Sequence, residues 1–238
     1  MEAKERHVRM EQPAPRRVMI GTPSHDGRVE VLYTNALIET IRACAAANII
    51  IEQFFIKDDA LLVRMRNDIV KQALLREVDD LVFIDSDMDW TPGQFLKLLS
   101  HPVDLVSGTA RKKTDTQEVY AVKCNRPIDK MEKDKNGLIE VDGVGCAFTR
   151  MTKKCMQKLW KKAKAYNDDN RGGKNKMIFG IEIINGELTG EDIMMSRLWK
   201  SCGGKVYLDP EITVGHIGSK CFVGNFSAWL NRAKINGG

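Results

Sequence analysis

Three aspartates stand in one short stretch of the chain, LVFIDSDMDW, directly after a run of apolar residues. In an extended segment side chains alternate, so Asp85 and Asp87 are predicted to point to the same side. Two neighbouring carboxylates repel each other unless a cation lies between or beside them. Oxygen ligands favour a hard divalent ion, Mg²⁺ or Mn²⁺, which keeps open positions for substrate phosphates. The stretch therefore indicates a metal that carries a diphosphate.

The same stretch also fits an ordinary acidic turn after a strand. Asp87 or Asp89 would then cap the helix predicted at TPGQF, and no metal would be needed. Asp89 is assigned to such a structural role, since capping or solvation explains it. A D-x-D sequence alone does not decide between a turn and a metal site.

Two further segments are candidates for nucleotide contacts. The loop GTPSHDGRVE follows the first predicted strand, where a ligand can lie over backbone amides. The loop is not a G-x-G-x-x-G sequence and the chain has no G-x-x-x-x-G-K-[ST], which disfavours dinucleotide redox chemistry and P-loop hydrolysis. In RMRN, Arg66 can bind a phosphate or a base edge and Asn67 can read a base. The alternatives are a solvated helix face, or a salt bridge from Arg66 to the acidic strand end.

Two later motifs supply a carboxylate pair and an imidazole. In TGEDIMM, Glu191 and Asp192 open a predicted helix, where the dipole favours carboxylates. One interpretation is that both are cap residues. The other is that one of them faces a cleft and accepts a proton from an attacking hydroxyl. His216, between two glycines in VGHIG, is either a structural histidine or the residue that completes a metal site with Asp87. Imidazole in an oxygen site would shift the preference toward Mn²⁺.

Basic stretches are the last candidates. They are ARKK, RGGKNK, and a helix that carries Lys154, Lys158, Lys161 and Lys162. The apolar stripe of that helix predicts that it packs inward and that the lysines cover a solvated face. The alternative is a polyanion such as nucleic acid, bound without base-specific contacts.

The elements that must position these residues predict an α/β fold. Apolar runs separated by helical patterns predict a parallel sheet covered on both faces; the runs are RRVMIGTP, IIIEQFFI, DLVFID and VDLVSGT. Antiparallel strands are predicted next, at EVYAVKC, GLIEV and GVGCAFTR, and NDDNRGGKNK is expected to be a disordered loop. We therefore expect a mostly parallel, Rossmann-like central sheet flanked by helices, with a smaller antiparallel lobe on the acceptor side.

Length and composition indicate one domain. A chain of 238 residues with 43% hydrophobic residues can bury a core without disulfides. We expect a flexible polar tail over 1–16 and a single domain over 17–238, with its nucleotide-binding half at 17–110 and its acceptor-side half at 111–238. The net charge of +5 permits a phosphate-bearing partner.

Cysteine usage and hydropathy predict the compartment. None of the six cysteines belongs to a C-x-x-C pair, and a reducing compartment fits their placement in apolar stretches. No apolar segment approaches the length that crosses a bilayer, so no integral membrane segment and a cytoplasmic location are expected.

Taken in order along the chain, these segments resemble glycosyltransferases of the GT-A fold. The segments are GTPSHDG, RMRN, VFIDSDM, VDGVGCAF, the GED that opens a helix, and LDPEITVGHIG. The resemblance spans about residues 17–220 and is closest to small family-2-like enzymes, including viral, phage and bacterial ones. The ordered set carries the resemblance, because no single motif is specific.

The resemblance implies which residues hold the donor and its metal. Asp87 would ligate Mn²⁺ or Mg²⁺ directly, with His216 as a later ligand. Asp85 would contact ribose, or the metal through water, with Ser86 beside it. The other donor contacts implied are Thr22, Pro23, Asp26, Arg66 and Asn67.

The resemblance also implies a reaction. Asp192 matches the general base of inverting members, with Glu191 next to it, and the segment 143–146 would line the sugar pocket. A sugar would pass from a nucleoside-diphosphate sugar to an acceptor hydroxyl, on a glycan or on a hydroxymethylated base in viral DNA. The polar loop TARKKTDTQE is expected to close over the donor.

Two other functions stay open at this point. A sugar-phosphate nucleotidyltransferase would use a similar fold, but it usually has a glycine-rich basic loop after strand one, which GTPSHDG is not. A non-catalytic basic module that binds nucleic acid would use the lysine-rich segments alone. The donor sugar, its base, the acceptor and the oligomeric state are not given by the sequence.

Overall fold

The computed structural model describes residues 14–235, apart from the side chain of Asn170. Residues 1–13 of the predicted tail lie outside the described residues, and Arg16 already begins the first strand. The α-helices in the described part are α1 (Val31–Ala46), α2 (Leu62–Leu75), α3 (Pro92–Ser100), α4 (Lys153–Lys162), α5 (Glu191–Ser201) and α6 (Phe226–Ile235).

The strands in the same part are short except for the first two. They are β1 (Arg16–Pro23), β2 (Ile49–Ile56), β3 (Asp80–Ile84), β4 (Met88–Asp89), β5 (Leu105–Ser107), β6 (Val122–Lys123), β7 (Ile139–Val141), β8 (Gly143–Val144), β9 (Phe148–Thr152), β10 (Ala165–Asp168), β11 (Gly173–Lys176), β12 (Glu182–Ile184), β13 (Glu187–Thr189), β14 (Val206–Leu208), β15 (Gly215–Ile217) and β16 (Cys221–Val223).

A seven-stranded sheet forms the centre, in the order β2-β1-β3-β9-β5-β14-β7. Strands β2, β1, β3, β5 and β14 run in one direction, whereas β9 and β7 run against them. Buried apolar residues fill both sides of the sheet, on the α2, α4 and α5 side and on the α1 and α3 side. The predicted α/β class is confirmed: a large, mostly parallel sheet is flanked by helices and accompanied by small antiparallel sheets, consistent with a GT-A-like fold.

GVGCAFTR contributes to two antiparallel strands, as predicted for this region: β8 pairs with β6 outside the central sheet, whereas β9 belongs to the central sheet. Strand β9 lies between β3 and β5, with Val82 opposite Arg150. The buried Arg150 fixes this position, because it donates to Asp80 at 3.0 Å and to the carbonyl of His101 at 2.9 Å. The central sheet therefore takes strands from both predicted halves of the chain.

Two small sheets differ from the sequence interpretation or extend it. Strand β15 pairs with β16 and with β4, which brings His216 beside Met88. The segment predicted as a disordered loop is a hairpin of β10 and β11. Its reversal uses Gly172 and Gly173 at φ values of 76° and 82°, where a residue with a Cβ would be strained.

The start of α3 excludes one alternative for the acidic stretch. Thr91 is the N-cap and accepts from the Gln94 amide, while the Gln94 side chain accepts from the Thr91 amide at 2.9 Å. Pro92 occupies the first turn, where its missing N–H has no consequence. Neither Asp87 nor Asp89 caps this helix.

All six cysteines are free thiols. Between residues 14 and 235, no helix combines the length and the apolar character that a membrane crossing requires.

Candidate functional site

The acidic stretch turns as soon as β3 ends. The last residue of β3 is Ile84, and the Met88 amide donates to the Asp85 carbonyl at 3.2 Å, which closes a turn. The extended conformation assumed for residues 85–87 is therefore not present in the described chain. As a result, Asp85 and Asp87 do not face one shared cation but have separate cationic partners.

Asp85 is held by the buried Arg66 of α2. Both carboxylate oxygens accept from Arg66 Nη2, at 3.1 and 3.2 Å. The Arg66 side chain is only 2% exposed, and its guanidinium lies 5.9 Å from the centre of the Phe179 ring. Of the alternatives for RMRN, the salt bridge to the strand end is the one present.

The other end of the same guanidinium reaches α5. Arg66 Nη1 donates to Asp192 Oδ1 and lies 3.6 Å from Glu191 Oε1. Burial lowers the pKa of Arg66, but the surrounding acids raise it more, so the net pKa is above its ordinary value. Because three carboxylates share one guanidinium, the cluster keeps negative charge.

Asp87 has a different set of partners. Its Oδ2 accepts from Lys113 Nζ and lies 3.5 Å from His216 Nε2. Burial opposes ionisation, but hydrogen bonds from these two groups lower the pKa of Asp87 to about 2. The backbone fixes the arrangement, because the Ile217 amide donates to the Asp87 carbonyl at 2.8 Å.

The protonation of His216 follows from its neighbours. Nδ1 lies 3.0 Å from the carbonyl oxygen of Arg111, which can only accept, so Nδ1 carries a proton. Nε2 is then the atom that faces Asp87. Burial lowers the pKa of His216, but the bonds to Asp87 and to the Arg111 carbonyl produce a net rise. An Nε2 lone pair directed at a cation would satisfy the same geometry, since metal-bound histidines commonly donate their other N–H to a carbonyl.

Asp87 and His216 supply two candidate ligand atoms for a divalent cation, and Lys113 Nζ, which donates to the same Asp87 oxygen, would have to move aside for it. Two ligand atoms about 2.1 Å from one cation can lie 3.5 Å apart, as Asp87 Oδ2 and His216 Nε2 do. Asp85 is turned to Arg66, and no group of three or more His, Cys, Asp or Glu side chains in residues 14–235 is placed to hold a metal. The three-ligand set Asp85, Asp87 and His216 is therefore not assembled. A site with one carboxylate and one imidazole leaves positions for substrate phosphates.

The predicted nucleotide loop lies against the acidic turn. The amide of Glu30, the last residue of the loop, donates to the Ser86 carbonyl at 3.0 Å. Thr22 is fully buried and its hydroxyl bonds to Tyr33 Oη at 2.5 Å, whereas Pro23 ends the buried strand. Asp26 is exposed and accepts from the Arg28 amide at 3.1 Å. Of the loop residues predicted to contact the donor, Asp26 alone extends into solvent.

Asn67 has a structural position. It is fully buried, its amide donates to the Phe179 carbonyl at 2.9 Å, and its Oδ1 accepts from the amides of Ile178 and Phe179 at 2.9 and 2.8 Å. Its hydrogen-bonding groups therefore hold the segment after β11 and do not face a ligand in this conformation.

A cavity of about 270 Å³ lies beside Asp192. While Oδ1 of Asp192 is held by Arg66, Oδ2 lies 3.7 Å from the point where a Cβ on Gly145 would stand. Gly145 therefore leaves room next to this oxygen. The predicted segment 143–146 lines the cavity at Gly145, whereas Cys146 is completely buried, and burial raises the pKa of its thiol to about 12.

Sequence reasoning assigned no site role to Lys113. The residue belongs to the basic run ARKK and to the loop TARKKTDTQE, which is expected to close over the donor, and its place in that loop is the available signal. Contact with Asp87 depends on a pairing of residues far apart in sequence, which a single sequence does not reveal.

Comparisons with known proteins support the fold only. No protein-family model matches the chain, and no curated protein matches it. The structure is similar to the crystal structure of A197 from STIV, with a TM-score of 0.52 and 17% identity over 85% of this chain and 86% of that one. It also matches a glycosyltransferase involved in the glycosylation of the major capsid of PBCV-1, with a TM-score of 0.33 and 9% identity over 60% of this chain and 62% of that one. The first likeness concerns the fold alone, and the second is too weak to carry an argument.

Proposed function

We propose that this chain is a metal-dependent glycosyltransferase that moves a sugar from a nucleoside-diphosphate sugar to an acceptor hydroxyl with inversion. The observation that carries the proposal is the buried guanidinium of Arg66. It joins Asp85, next to the candidate cation site, to Asp192, beside an open cavity. The Arg66 guanidinium thus connects the candidate base to the acidic turn that carries Asp87, and such a transfer needs the base and the donor site close together.

The donor diphosphate lies next to Asp87 and His216. A divalent cation bound there, Mn²⁺ or Mg²⁺, would supply positive charge to the departing nucleoside diphosphate. Lys113, in the loop expected to close over the donor, contributes a second positive charge beside the same carboxylate. The adjacent turn at Ser86 and the loop after β1 border the nucleotide.

Asp192 acts as the general base. The acceptor oxygen attacks the anomeric carbon while its proton passes to Asp192 Oδ2, and the bond from the anomeric carbon to the diphosphate oxygen breaks. Nucleoside diphosphate leaves with the bonding electrons. Arg66 is a positioning residue, because its bond to Oδ1 fixes the carboxylate and leaves Oδ2 toward the cavity.

The test is a screen of nucleotide sugars for metal-dependent turnover. Released nucleoside diphosphate is measured with Mn²⁺ and with a chelator, which needs no knowledge of the acceptor. We expect turnover with Mn²⁺, and its loss in Asp87→Asn. Asp104→Asn is the matched control, because Asp104 pairs with Lys154 on the surface and belongs to no candidate site. Equal turnover in Asp87→Asn and in the control would refute the cation site.

Asp192→Asn separates the base from the donor site. With an acceptor present, we expect transfer to fall about 100- to 10,000-fold while Mn²⁺-dependent donor binding persists. A retained anomeric configuration in the product would remove Asp192 from its role. Release of pyrophosphate from a nucleoside triphosphate and a sugar phosphate would instead identify a nucleotidyltransferase.

A further inference from the structure

A groove leads from Asp192 along the exposed face of α5. The cavity beside Asp192 borders a second one of about 450 Å³, and both are lined by Lys123 and Ile193. The second cavity continues past Arg197 to the end of the helix. A molecule whose hydroxyl reaches Asp192 can therefore extend into the second cavity.

The second cavity has positive charge that the protein does not neutralise. Lys123 and Arg197 are exposed, and neither side chain forms a hydrogen bond or ion pair within residues 14–235. Asp142 is the one acid among the described residues of its wall, and it already accepts from Lys200 and from the Asn125 amide. The hydrogen bond from Lys200 lowers the pKa of Asp142, and burial, which would raise this pKa, offsets only part of the effect.

The loop after β5 adds a positive charge to the cavity beside Asp192. Lys112 lines the cavity beside Asp192, while the next residue, Lys113, pairs with Asp87. Apolar side chains of α5, including Ile193 and Leu198, line the groove together with the cations. The groove thus offers apolar surface for a carbon skeleton and positive charge beyond it.

We propose that this groove binds the phosphate group of the acceptor between Lys123 and Arg197. The assignment to the acceptor rests on the proposed function, because that function makes Asp192 the base. Exposed lysines are commonly only solvated, but these cations line a concave surface that is continuous with the candidate base. The planar guanidinium of Arg197 matches phosphate oxygens in a paired geometry, and a phosphate brings enough negative charge for both cations.

Binding without metal tests the site independently of catalysis. Glycerol 3-phosphate and glycerol are titrated into the full-length protein with a chelator present, and binding is followed by amide-resolved NMR. We expect glycerol 3-phosphate to bind at least about 10-fold more tightly than glycerol, with shifts at residues 123 and 197, because charge-assisted hydrogen bonds form with the phosphate. The preference should weaken with added salt.

Variants localise the effect. In the double variant Lys123→Gln, Arg197→Gln, the affinity ratio of glycerol 3-phosphate to glycerol should fall about 10-fold or more. In the double variant Lys161→Gln, Lys162→Gln, which changes two exposed lysines at the end of α4, the ratio should not change. Asp87→Asn should also keep it, which distinguishes the groove from the donor site. Unchanged binding in the first double variant, or equal binding of glycerol and its phosphate, would overturn the proposal.

Two further measurements give the source of the phosphate and the link to transfer. Tighter binding of a short single-stranded oligonucleotide than of glycerol 3-phosphate would indicate a nucleic-acid phosphodiester, and the reverse would indicate a phosphorylated polyol or glycan. If nucleotide sugars turn over but the groove variants bind phosphate as the wild type does, this inference fails and the proposed function stands. If phosphate binds as predicted but no nucleotide sugar turns over, the assignment to an acceptor fails with the proposed function.

Discussion

Replacing the buried Arg66 by leucine should destabilise the protein strongly. Arg66 is 2% exposed and lies 3.1 Å from Asp85 and 3.6 Å from Glu191. At an effective dielectric constant near 20, such a pair attracts by about 5 kcal/mol, and desolvation of the guanidinium offsets much of this attraction. Arg66→Leu leaves three partly buried carboxylates without their counter-charge. We expect the free energy of unfolding to fall by about 3–5 kcal/mol.

A double-mutant comparison distinguishes charge imbalance from lost packing. Adding Asp192→Asn to Arg66→Leu removes one of the unpaired carboxylates, so the double variant should be more stable than Arg66→Leu alone, with a coupling energy of about 1–3 kcal/mol. The free energies of unfolding of the wild type and of these variants are measured by urea denaturation, with far-ultraviolet circular dichroism as the signal.

Arg232→Leu is the control for this comparison. Arg232 is 57% exposed and pairs with Glu118 on the surface, so its loss should cost less than about 1 kcal/mol. Strictly additive effects of Arg66→Leu and Asp192→Asn, or a loss for Arg66→Leu no larger than for the control, would refute the coupled cluster.

Three further predictions concern stability away from the site. The Asp59 side chain has no exposed surface. The hydrogen bond from Arg64, together with further hydrogen bonds, lowers the pKa of Asp59 to about 2, although burial alone would raise it. This contribution is complete above the unfolded pKa near 4 and is lost as the pH falls toward 2. Asp59→Asn should therefore cost about 2 kcal/mol at pH 7 and little at pH 2, and an equal loss at both pH values would contradict it. Gly204→Ala should lower the free energy of unfolding in urea by about 1–3 kcal/mol or more, because the added Cβ would stand 1.9 Å from the buried Trp199 ring. An unchanged urea midpoint would count against this packing. Thr91→Ala should lower the thermal midpoint through loss of about 1 kcal/mol of N-cap stabilisation, and no shift would argue against the capping box.

The sequence predicted the elements that depend on local pattern. Apolar runs and helical spacing located the parallel strands and the helices around them, and the acids after Gly190 marked the start of α5. The insertion of β9 between β3 and β5 depends on pairing over many residues, including the contact of Arg150 with Asp80. Local pattern shows that β9 is a strand but does not give its neighbours.

The candidate site was predictable in its residue types and less so in its contacts. Strand alternation predicts that Asp85 and Asp87 point to the same side and share a cation, but the chain turns after Ile84. The sequence allows the salt bridge of Arg66 to the acidic strand end, whereas the second contact of Arg66, to Asp192, joins residues 126 positions apart. Such a contact depends on how the tertiary fold places α2 relative to the start of α5 and not on either segment alone.

The central claim is that Asp87 and His216 hold a divalent cation that binds the donor diphosphate. Titration calorimetry with uridine and guanosine diphosphates, each with Mn²⁺ and with a chelator, tests it most directly. The account predicts binding that requires Mn²⁺ and weakens at least about 10-fold in Asp87→Asn, with Asp104→Asn unchanged. Binding that is equally tight with the chelator, or no binding of either diphosphate with Mn²⁺, would contradict the account.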